Sequence, residues 1–337
     1  PESHIERAQA REFRKNKKSL FEAEGTISKG MTTIAVAGTH GKTTTTAMLT
    51  KILVDGGKNP TAIIGSIVKD FGSNFVPGSS ELLVIEACEY RDHLLQLHPK
   101  ILVITNIEWD HTDWFKTEAD MRLTFQKAVD AVPEDGKVVD ATVYQSEPEF
   151  ELQLIGEFNK DNARAAAAAA KAAFPDITNE QIARSLKTFQ GTWRRFKYKG
   201  KTATGADVYD DYAHHPSAIR VTLEGVREKF PEKNIVVVFH PHLYSRTRDL
   251  FDGFVEELAE ADRIILAPIY GAREEPIPGI TSDEIAKAIF HRNEHVVSLS
   301  SFELIGEELK KAGEGDLVIT MGAGDIYHAI DSLPFAK

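Results

Sequence analysis

The sequence predicts an α/β protein in which two domains, each built on a mainly parallel sheet, follow one another. Short apolar, β-branched runs alternate with stretches of helical periodicity along almost the whole chain, and this alternation is typical of βαβ units. A glycine turn joins the first such run to the first long helix, and 337 residues are enough for two hydrophobic cores. We therefore expect a helix and linker at 1–30, a doubly wound central domain at 31–190 and a smaller α/β domain at 191–337.

The central domain is expected to alternate regularly between strands and helices. Asn159 is the predicted N-cap of an alanine-rich helix, whose small side chains favour close packing against a neighbouring element. A loop rich in glycine and serine is expected at 69–80, and turns and short strands are expected at 133–157. The predicted strands lie at 31–36, 61–64, 82–87 and 101–106, and the predicted helices at 43–55, 91–97, 117–131, 159–174 and 178–188.

The alternation resumes in the second domain. A strand is predicted to end at 210–212, one helix to begin at Pro216 and another at Ser245. Further strands are expected at 234–239, 263–267, 295–298 and 316–321, with helices between them. This pattern predicts a Rossmann-like α/β domain that is smaller than the first one.

The strongest chemical signal is the stretch 36–46, where a strand leads into a helix through glycine. Such a turn presents backbone N–H groups and the positive end of a helix dipole to an anion. Lys42 adds a point charge for phosphate oxygens, and the Thr43 hydroxyl can ligate Mg²⁺. Gly38 and Gly41 are separated by two residues, whereas the classical phosphate-binding pattern has four between its glycines. The alternative is an ordinary glycine turn with a surface lysine, which the strand–turn–helix context disfavours.

Two further polar side chains lie just beyond the predicted ends of buried strands. Glu86 ends the strand at 82–87, and His111 follows the strand at 101–106. Taken singly, Glu86 would more often be a helix cap and His111 an ordinary loop histidine. The carboxyl ends of parallel strands meet at one edge of a sheet, so both can converge with Thr43 on one site for Mg²⁺ and phosphate. This common placement favours function.

Composition excludes several classes of protein. The net charge of −11 argues against nucleic acid as a general partner. No apolar run is long enough for a membrane span, and Cys88 as the single cysteine excludes an intramolecular disulfide framework and favours the cytoplasm. An anionic substrate would need a local cationic pocket. Arg246 and Arg248, at the start of a predicted helix, are candidates for such a cationic mouth, with a solvated helix turn as the alternative.

The motifs taken together resemble those of the Mur ligases, which are ATP-dependent amino-acid ligases of peptidoglycan synthesis. The motifs that follow the family's order are Gly38–Thr44, Glu86, Asn106–His111, Gly156–Asn162, Arg194–Phe196 and Asp210–Pro216. Three more motifs are similar to the branch of the family that adds L-alanine, namely His240–Leu250, Ile269–Glu274 and Met321–Ile326. The resemblance covers about 30–337, nearly the whole chain.

The resemblance implies a cytoplasmic enzyme with a P-loop-type central domain, ATP and Mg²⁺ as cofactors, and UDP-N-acetylmuramate and an amino acid as substrates that react through an acyl phosphate. The implied catalytic residues are Lys42, His111 and Arg195, and the implied metal ligands are Thr43, Glu86 and His111. The implied ATP contacts are Gly38, Thr39, His40, Gly41, Lys42, Thr43, Thr44, Asn162, Arg195 and Asp211. The implied substrate contacts are His214, His215, His242, Arg246 and Arg248.

Two alternative functions stay open at this point. The resemblance extends to the muropeptide ligases, which attach a recycled tripeptide and share the motif within 209–224. A nucleotide-binding module without turnover is the alternative from another class, and the completeness of the implied catalytic set disfavours it. Members of the family branch also carry an N-terminal UDP-binding domain. We expect such a domain in cis in a longer protein, with the amphipathic stretch 1–25 as its exit helix.

Overall fold

A computed structural model describes residues 18–141 and 148–336 and contains two six-stranded sheets, which confirms the predicted α/β fold class. Of the helix expected at 1–25, residues 1–17 lie outside the described residues. Helix α1 (Leu20–Ser28) follows them and begins with a capping box between Ser19 and Glu22. Within the described residues, no helix is long and apolar enough to cross a membrane.

The first sheet has the strand order β3-β2-β4-β1-β5-β6. Its strands are β1 (Thr32–Ala37), β2 (Thr61–Val68), β3 (Ser73–Val76), β4 (Leu82–Glu86), β5 (Ile101–Ile104) and β6 (Lys137–Asp140). All neighbouring pairs are parallel except β2 and β3, which form an antiparallel edge hairpin. That hairpin was not predicted, because the stretch 69–80 is rich in turn residues and has a weak apolar pattern.

Helices cover both faces of the first sheet. Alternate residues of β1 belong to two separate cores: Ile34 and Val36 pack with α2 and α4, and Ala35 and Ala37 pack with α3. The helices of this region are α2 (Lys42–Asp55), α3 (Glu118–Asp130), α4 (Glu157–Ala173) and α5 (Asn179–Lys187). The buried alanines of α4 lie against α2, which confirms the expected close packing.

Two local predictions in this region are wrong. Asn159 does not cap α4, because the helix begins at Glu157 after Gly156, and the Asn159 side chain donates to the Ile155 carbonyl oxygen at 2.7 Å. The helix expected at 91–97 is a 3₁₀ segment at Tyr90–Gln96 that is interrupted by two residues with positive φ. Regular α-helical hydrogen bonding cannot pass through such residues.

The second sheet has the order β11-β10-β9-β12-β8-β7, and its helices also lie on both faces. Its strands are β7 (Lys197–Lys201), β8 (Asp207–Asp211), β9 (Asn234–Phe239), β10 (Arg263–Leu266), β11 (Val296–Ser298) and β12 (Asp316–Met321). Its helices are α6 (Pro216–Lys229), α7 (Tyr244–Asp249), α8 (Phe251–Leu258), α9 (Ser282–Phe290) and α10 (Phe302–Leu309), with a 3₁₀ segment at Ile326–Ile330. Only the β7–β8 pair is antiparallel among these strands, and β7 was not predicted.

Candidate active site

The turn between β1 and α2 requires glycine at two positions. Gly38 and Gly41 have φ values of +134° and +81°, which side chains of L-residues rarely allow. A Cβ atom at Gly38 would lie 2.0 Å from the Thr105 hydroxyl, and one at Gly41 would lie 2.2 Å from the Asn162 amide oxygen. No side chain caps the start of α2. The N–H groups of its first turn are therefore open to an anion.

Lys42 lies at this helix start and forms a buried ion pair with Glu89. The Lys42 ammonium is 2.8 Å from the nearer Glu89 oxygen, and the Glu89 side chain is 1% exposed. His111 Nε2 lies 3.2 Å from the other oxygen of the same carboxylate. Burial raises the pKa of Glu89, but Lys42 and His111 outweigh burial and hold that pKa below its ordinary value. One carboxylate therefore joins the cation of the glycine turn to the histidine that follows β5.

The structure brings two of the three predicted metal ligands into direct contact. The Thr43 hydroxyl donates to a Glu86 oxygen at 3.1 Å, and the Gly65 N–H donates to the other oxygen at 2.7 Å. A Cβ atom on Gly65 would lie only 2.3 Å from that carboxylate. His111 is linked to this region through Glu89 and has a φ of +53°, a strained value for a non-glycine residue. Hydroxyl and carboxylate oxygens are the donors that Mg²⁺ prefers, so the residues fit this ion.

Other residues of the glycine turn are fixed by hydrogen bonds to the segment that follows β5 or by burial. The Thr39 hydroxyl donates to the Glu108 carbonyl oxygen at 2.8 Å, and the His40 N–H donates to the Asn106 side chain at 2.9 Å. Thr44 is buried in the first turn of α2. The Asn162 amide is also buried, and its oxygen accepts from Thr45 at 3.2 Å. The structure therefore places Asn162 beneath the glycine turn, and its predicted contact with adenine stays a prediction.

Arg195 and Asp211 lie near each other in the second sheet region. The Arg195 guanidinium is 5.1 Å from the centre of the Tyr212 ring. Both Asp211 carboxylate oxygens accept backbone hydrogen bonds, from Phe196 at 2.6 Å and from Ala213 at 2.7 Å. Burial raises the pKa of Asp211, against the opposing charge of Arg195. Asp211 thus holds the chain in position beside Arg195.

A histidine and arginine cluster lies where the two sheets face each other. The Arg246 guanidinium donates to Asp110 of the first sheet region at 2.8 Å and to His242 Nδ1 at 3.1 Å, and it is 3% exposed. Burial and Arg246 lower the pKa of His242 to about 4. His214 Nδ1 lies 2.9 Å from the Tyr212 carbonyl oxygen, which can only accept, so this nitrogen carries the proton. Burial holds the pKa of His214 well below its ordinary value.

Arg248 does not join this cluster. Its guanidinium pairs with the adjacent Asp249 at 2.6 Å, and its side chain is 52% exposed. Since Arg246 pairs with Asp110 instead, the two arginines do not form the single cationic mouth expected from their spacing. Two side chains only two residues apart in a helix point to different sides of it. The predicted contact of Arg248 with substrate is thereby left without geometric support.

Two family models match the chain: the Mur ligase middle domain at residues 36–141, and the Mur ligase, glutamate ligase domain at residues 194–324. The chain is also 36% identical to the UDP-N-acetylmuramate–L-alanine ligase of Desulfitobacterium hafniense, over 98% of this chain and 83% of that protein. The chain belongs to the Mur ligase family. Mur ligases form peptide bonds at the expense of ATP, and this chain is a ligase of that kind.

A second relative and a solved structure agree with this assignment. The Mur ligase described here is 37% identical to the UDP-N-acetylmuramate–L-alanine ligase of Caldanaerobacter subterraneus, over 87% of this chain and 73% of that protein. The crystal structure of the UDP-N-acetylmuramate–alanine ligase of Thermotoga maritima superposes with a TM-score of 0.77. That comparison covers 98% of this chain and 81% of the other at 24% identity, and it supports the fold.

Sequence reasoning missed the carboxylates that organise the site of this Mur ligase. Glu89 was given no role, because it precedes an irregular segment for which the sequence carries no simple signal. Glu108 and Asp110 belong to a motif that was noted, but their partners were not foreseen. The partner of Asp110 is Arg246, and the Ser217 hydroxyl contacts Glu108. Both partners are more than a hundred residues away in the chain, so no local pattern could reveal them.

Proposed function

We propose that this chain joins L-alanine to UDP-N-acetylmuramate in an ATP- and Mg²⁺-dependent reaction, forming an amide bond in the cytoplasm. The observation that carries the proposal is the similarity of nearly the whole chain to relatives named UDP-N-acetylmuramate–L-alanine ligase. We further propose that the phosphate and metal site belongs to a central domain at 31–190. A C-terminal domain at 191–337 would then complete the site from the other side.

The glycine turn and Lys42 would bind the phosphates of ATP. The open N–H groups at the start of α2 and the Lys42 ammonium supply positive charge on one side of the site. Charge placed in advance at this position stabilises the negative charge that develops during phosphoryl transfer. Glu89 keeps the ammonium in place until nucleotide binds. We also propose Gly38, Thr39, His40, Gly41 and Thr44 as the contacts along this turn, with Asn162, Arg195 and Asp211 nearer the nucleoside.

Thr43 and Glu86 would hold one Mg²⁺, and His111 would hold a second ion or contact the transferred phosphoryl group. When bound, the metal would supply positive charge that neutralises the phosphates. The contribution of the chain is to fix the two oxygen donors 3.1 Å apart. Gly65 contributes indirectly, because its N–H orients the Glu86 carboxylate.

The reaction would occur in two transfers. A carboxylate oxygen of UDP-N-acetylmuramate attacks the terminal phosphorus of ATP, and ADP leaves. The uncharged amine of alanine then attacks the acyl carbon, and phosphate leaves with the electrons of the broken C–O bond. The alanine ammonium must lose a proton before this attack. His214 offers Nε2 as a hydrogen-bond acceptor for the amine, since its Nδ1 proton is bound to the Tyr212 carbonyl and burial favours the neutral ring.

The decisive experiment measures phosphate release with ATP, Mg²⁺, UDP-N-acetylmuramate and one amine donor at a time. We expect release with L-alanine, none without an amine, and a product whose mass equals that of the joined substrates. Preference for a peptidoglycan tripeptide over alanine would favour the muropeptide ligase alternative. If the parent binds ATP but releases no more phosphate than Lys42→Met, the nucleotide-binding module without turnover is favoured.

A further inference from the structure

Three side chains apart from the predicted Mg²⁺ ligands form a second cluster of metal-binding donors. His40 follows β1, Glu108 follows β5, and His215 immediately precedes α6 of the second sheet region. Each residue offers one donor atom, and the three atoms lie within 4.8 Å of one another. Two imidazoles and one carboxylate are the donor set of many zinc sites that leave a fourth position open.

The separations within this cluster suit a small tetrahedral ion. His40 Nε2 lies 3.0 Å from one Glu108 oxygen, and His215 Nδ1 lies 3.9 Å from the other. Donors that bind one Zn²⁺ at ~2.0–2.2 Å in tetrahedral geometry are roughly 3.3–3.5 Å apart. The two measured separations lie on either side of that value. Small side-chain rotations would therefore bring all three donors onto one ion.

The hydrogen bonds of His215 set the tautomer that a metal at Nδ1 would need. His215 Nε2 lies 3.2 Å from the Trp109 carbonyl oxygen, which can only accept, so the ring proton is on Nε2. The lone pair is then on Nδ1, which lies 3.9 Å from Glu108 and accepts from the Ser217 N–H at 3.3 Å, a bond that the metal would replace. A bond from the distal N–H of a histidine to a backbone carbonyl is the usual outer-shell arrangement of metal-bound imidazole. Burial also lowers the pKa of His215 and so favours the neutral ring that a metal requires.

Glu108 supplies the negative charge at the centre of the cluster. Burial raises its pKa, but the adjacent His40 ring and the Ser217 hydroxyl outweigh burial and lower the pKa to about 2. The carboxylate is therefore ionised at neutral pH. Cys88 is a poor competitor for the metal, because burial and Glu89 raise the pKa of its thiol to about 11.

We infer that His40, Glu108 and His215 form a binding site for Zn²⁺ or a similar transition-metal ion, and that the bound ion inhibits turnover. Imidazole ligands favour such ions over Mg²⁺, which prefers oxygen. The ion would occupy His40, which the proposed function assigns to ATP, and tie it to the second sheet region. This second half of the inference rests on the proposed function.

Binding is tested on the metal-free full chain by titration with Zn²⁺ against a colorimetric chelator. We expect one tightly bound equivalent, and at least ~10-fold weaker binding in each of Glu108→Gln and His40→Ala, because each loses one donor. His328→Ala is the matched control: it removes an exposed histidine that pairs with Asp331, and its zinc affinity should equal that of the parent. Equal affinity in the two cluster variants would overturn the inference.

Cobalt provides a readout that a merely structural effect would not reproduce. Co²⁺ in a tetrahedral site gives an intense visible absorption band, which we expect in the parent and not in Glu108→Gln. Circular dichroism of the metal-free variants checks that they fold. If a variant does not fold, anomalous scattering from crystals of the parent soaked in Zn²⁺ decides the matter. A zinc peak between the three side chains supports the site, and a peak elsewhere or none overturns it.

Inhibition is tested separately from binding. If the chain ligates, micromolar Zn²⁺ should lower phosphate release at saturating Mg²⁺ and ATP, and a chelator should restore it. The residual activity of Glu108→Gln should be less sensitive to zinc than that of the parent, each measured against its own rate. Zinc that binds at the cluster and leaves the rate unchanged would overturn the inhibitory role. Failure of the proposed function would instead show as absent ligation in the zinc-free parent, with the binding result unaffected.

Discussion

Glu89 is the buried carboxylate through which Lys42 and His111 meet, and a single change tests its importance. Glu89→Gln keeps the shape of the side chain and removes the charge. Loss of a hydrogen bond to a charged group costs ~1.5–3 kcal/mol, so we expect phosphate release to fall roughly 10–100-fold. Steady-state kinetics with varied ATP provide the measurement. Glu134→Gln, on an exposed loop, is the control and should keep the parental rate; a rate for Glu89→Gln equal to it would remove Glu89 from the site.

Lys42 is the second residue whose role can be isolated. Lys42→Ala should weaken ATP binding and abolish turnover, because the loss of a group that stabilises the transition state costs ~3–4 kcal/mol. The same change leaves Glu89 buried without its main cation, so the denaturation midpoint should also fall. Isothermal titration with ATP and a urea melt separate the two effects. Unchanged ATP affinity in a folded variant would show that the turn does not bind phosphate.

Single residues were predictable where a backbone pattern alone places them. Thr43 and Glu86 follow strand ends that are visible as apolar runs, and the structure puts their oxygens 3.1 Å apart. Glu89 was not predictable, because it lies ahead of a 3₁₀ segment with positive φ at Arg91 and Asp92. No simple sequence pattern specifies the path of such a segment, and so none specifies where the side chains beside it point.

Strand β2 contributes to the site in a way that its sequence pattern does not predict. It was expected to end at residue 64 but continues to Val68, and this extension carries Gly65 up to the Glu86 carboxylate. Gly65→Ala would place a Cβ atom 2.3 Å from that carboxylate and displace it. We therefore expect a higher Mg²⁺ concentration for half-maximal activity. The free energy of unfolding should change little, since the end of the Glu86 side chain can move aside.

The measurement is a Mg²⁺ titration of phosphate release at fixed ATP. Gly30→Ala is the matched control, because a Cβ atom there meets its nearest neighbour at an ordinary 3.7 Å. It should titrate with Mg²⁺ like the parent. If Gly65→Ala does so as well, then Glu86 does not ligate the metal from its observed position.

The elements that sequence analysis missed are the two antiparallel edge strands. Strand β3 has no buried residue, and β7 carries three lysines and a glycine. Edge strands are commonly protected by such residues, which discourage pairing with other chains. The same protection removes the apolar alternation by which a strand is recognised. The buried parallel strands were predicted well, because both of their faces are covered by helices and their apolar runs are nearly continuous.

At the scale of the molecule, the buried pair between Asp110 and Arg246 joins the two sheet regions. Burial raises the pKa of Asp110, but Arg246 outweighs burial and holds it well below its ordinary value. A carboxyl group with a lowered pKa stabilises the fold above its unfolded pKa, ~4. That contribution is lost as the pH falls from there through the folded value.

Asp110→Asn should therefore lower the free energy of unfolding by ~3–5 kcal/mol at pH 7, because it leaves Arg246 buried without a charged partner. The difference from the parent should shrink as the pH is lowered below ~4, where Asp110 begins to lose its charge in the unfolded state. Urea denaturation at several pH values provides the measurement. Arg248→Ala breaks an exposed pair with Asp249 and should cost at most ~1 kcal/mol. A cost no greater than this for Asp110→Asn would contradict a stabilising role for the buried pair.

The arrangement of the two sheet regions could not be predicted from the sequence. Contacts between the two sheet regions include polar pairs of residues far apart in the chain, such as Arg273 with Asp113 and Arg246 with Asp110. Charged residues are common throughout the sequence, and their spacing gives no indication of a partner. The order of elements within each sheet follows local patterns, whereas the contact between sheets depends on complementary side chains that only the folded chain brings together.

One short segment makes contacts in two opposite directions. Within 108–113, Glu108, Asp110 and Asp113 reach the second sheet region, while His111 turns the other way towards Glu89. The number of residues in the segment is therefore constrained as strictly as their identity. One inserted or deleted residue would exchange the side chains that face the two directions. In the history of such a chain, length changes would accumulate in peripheral turns such as that between β2 and β3, and this segment would vary only by substitution.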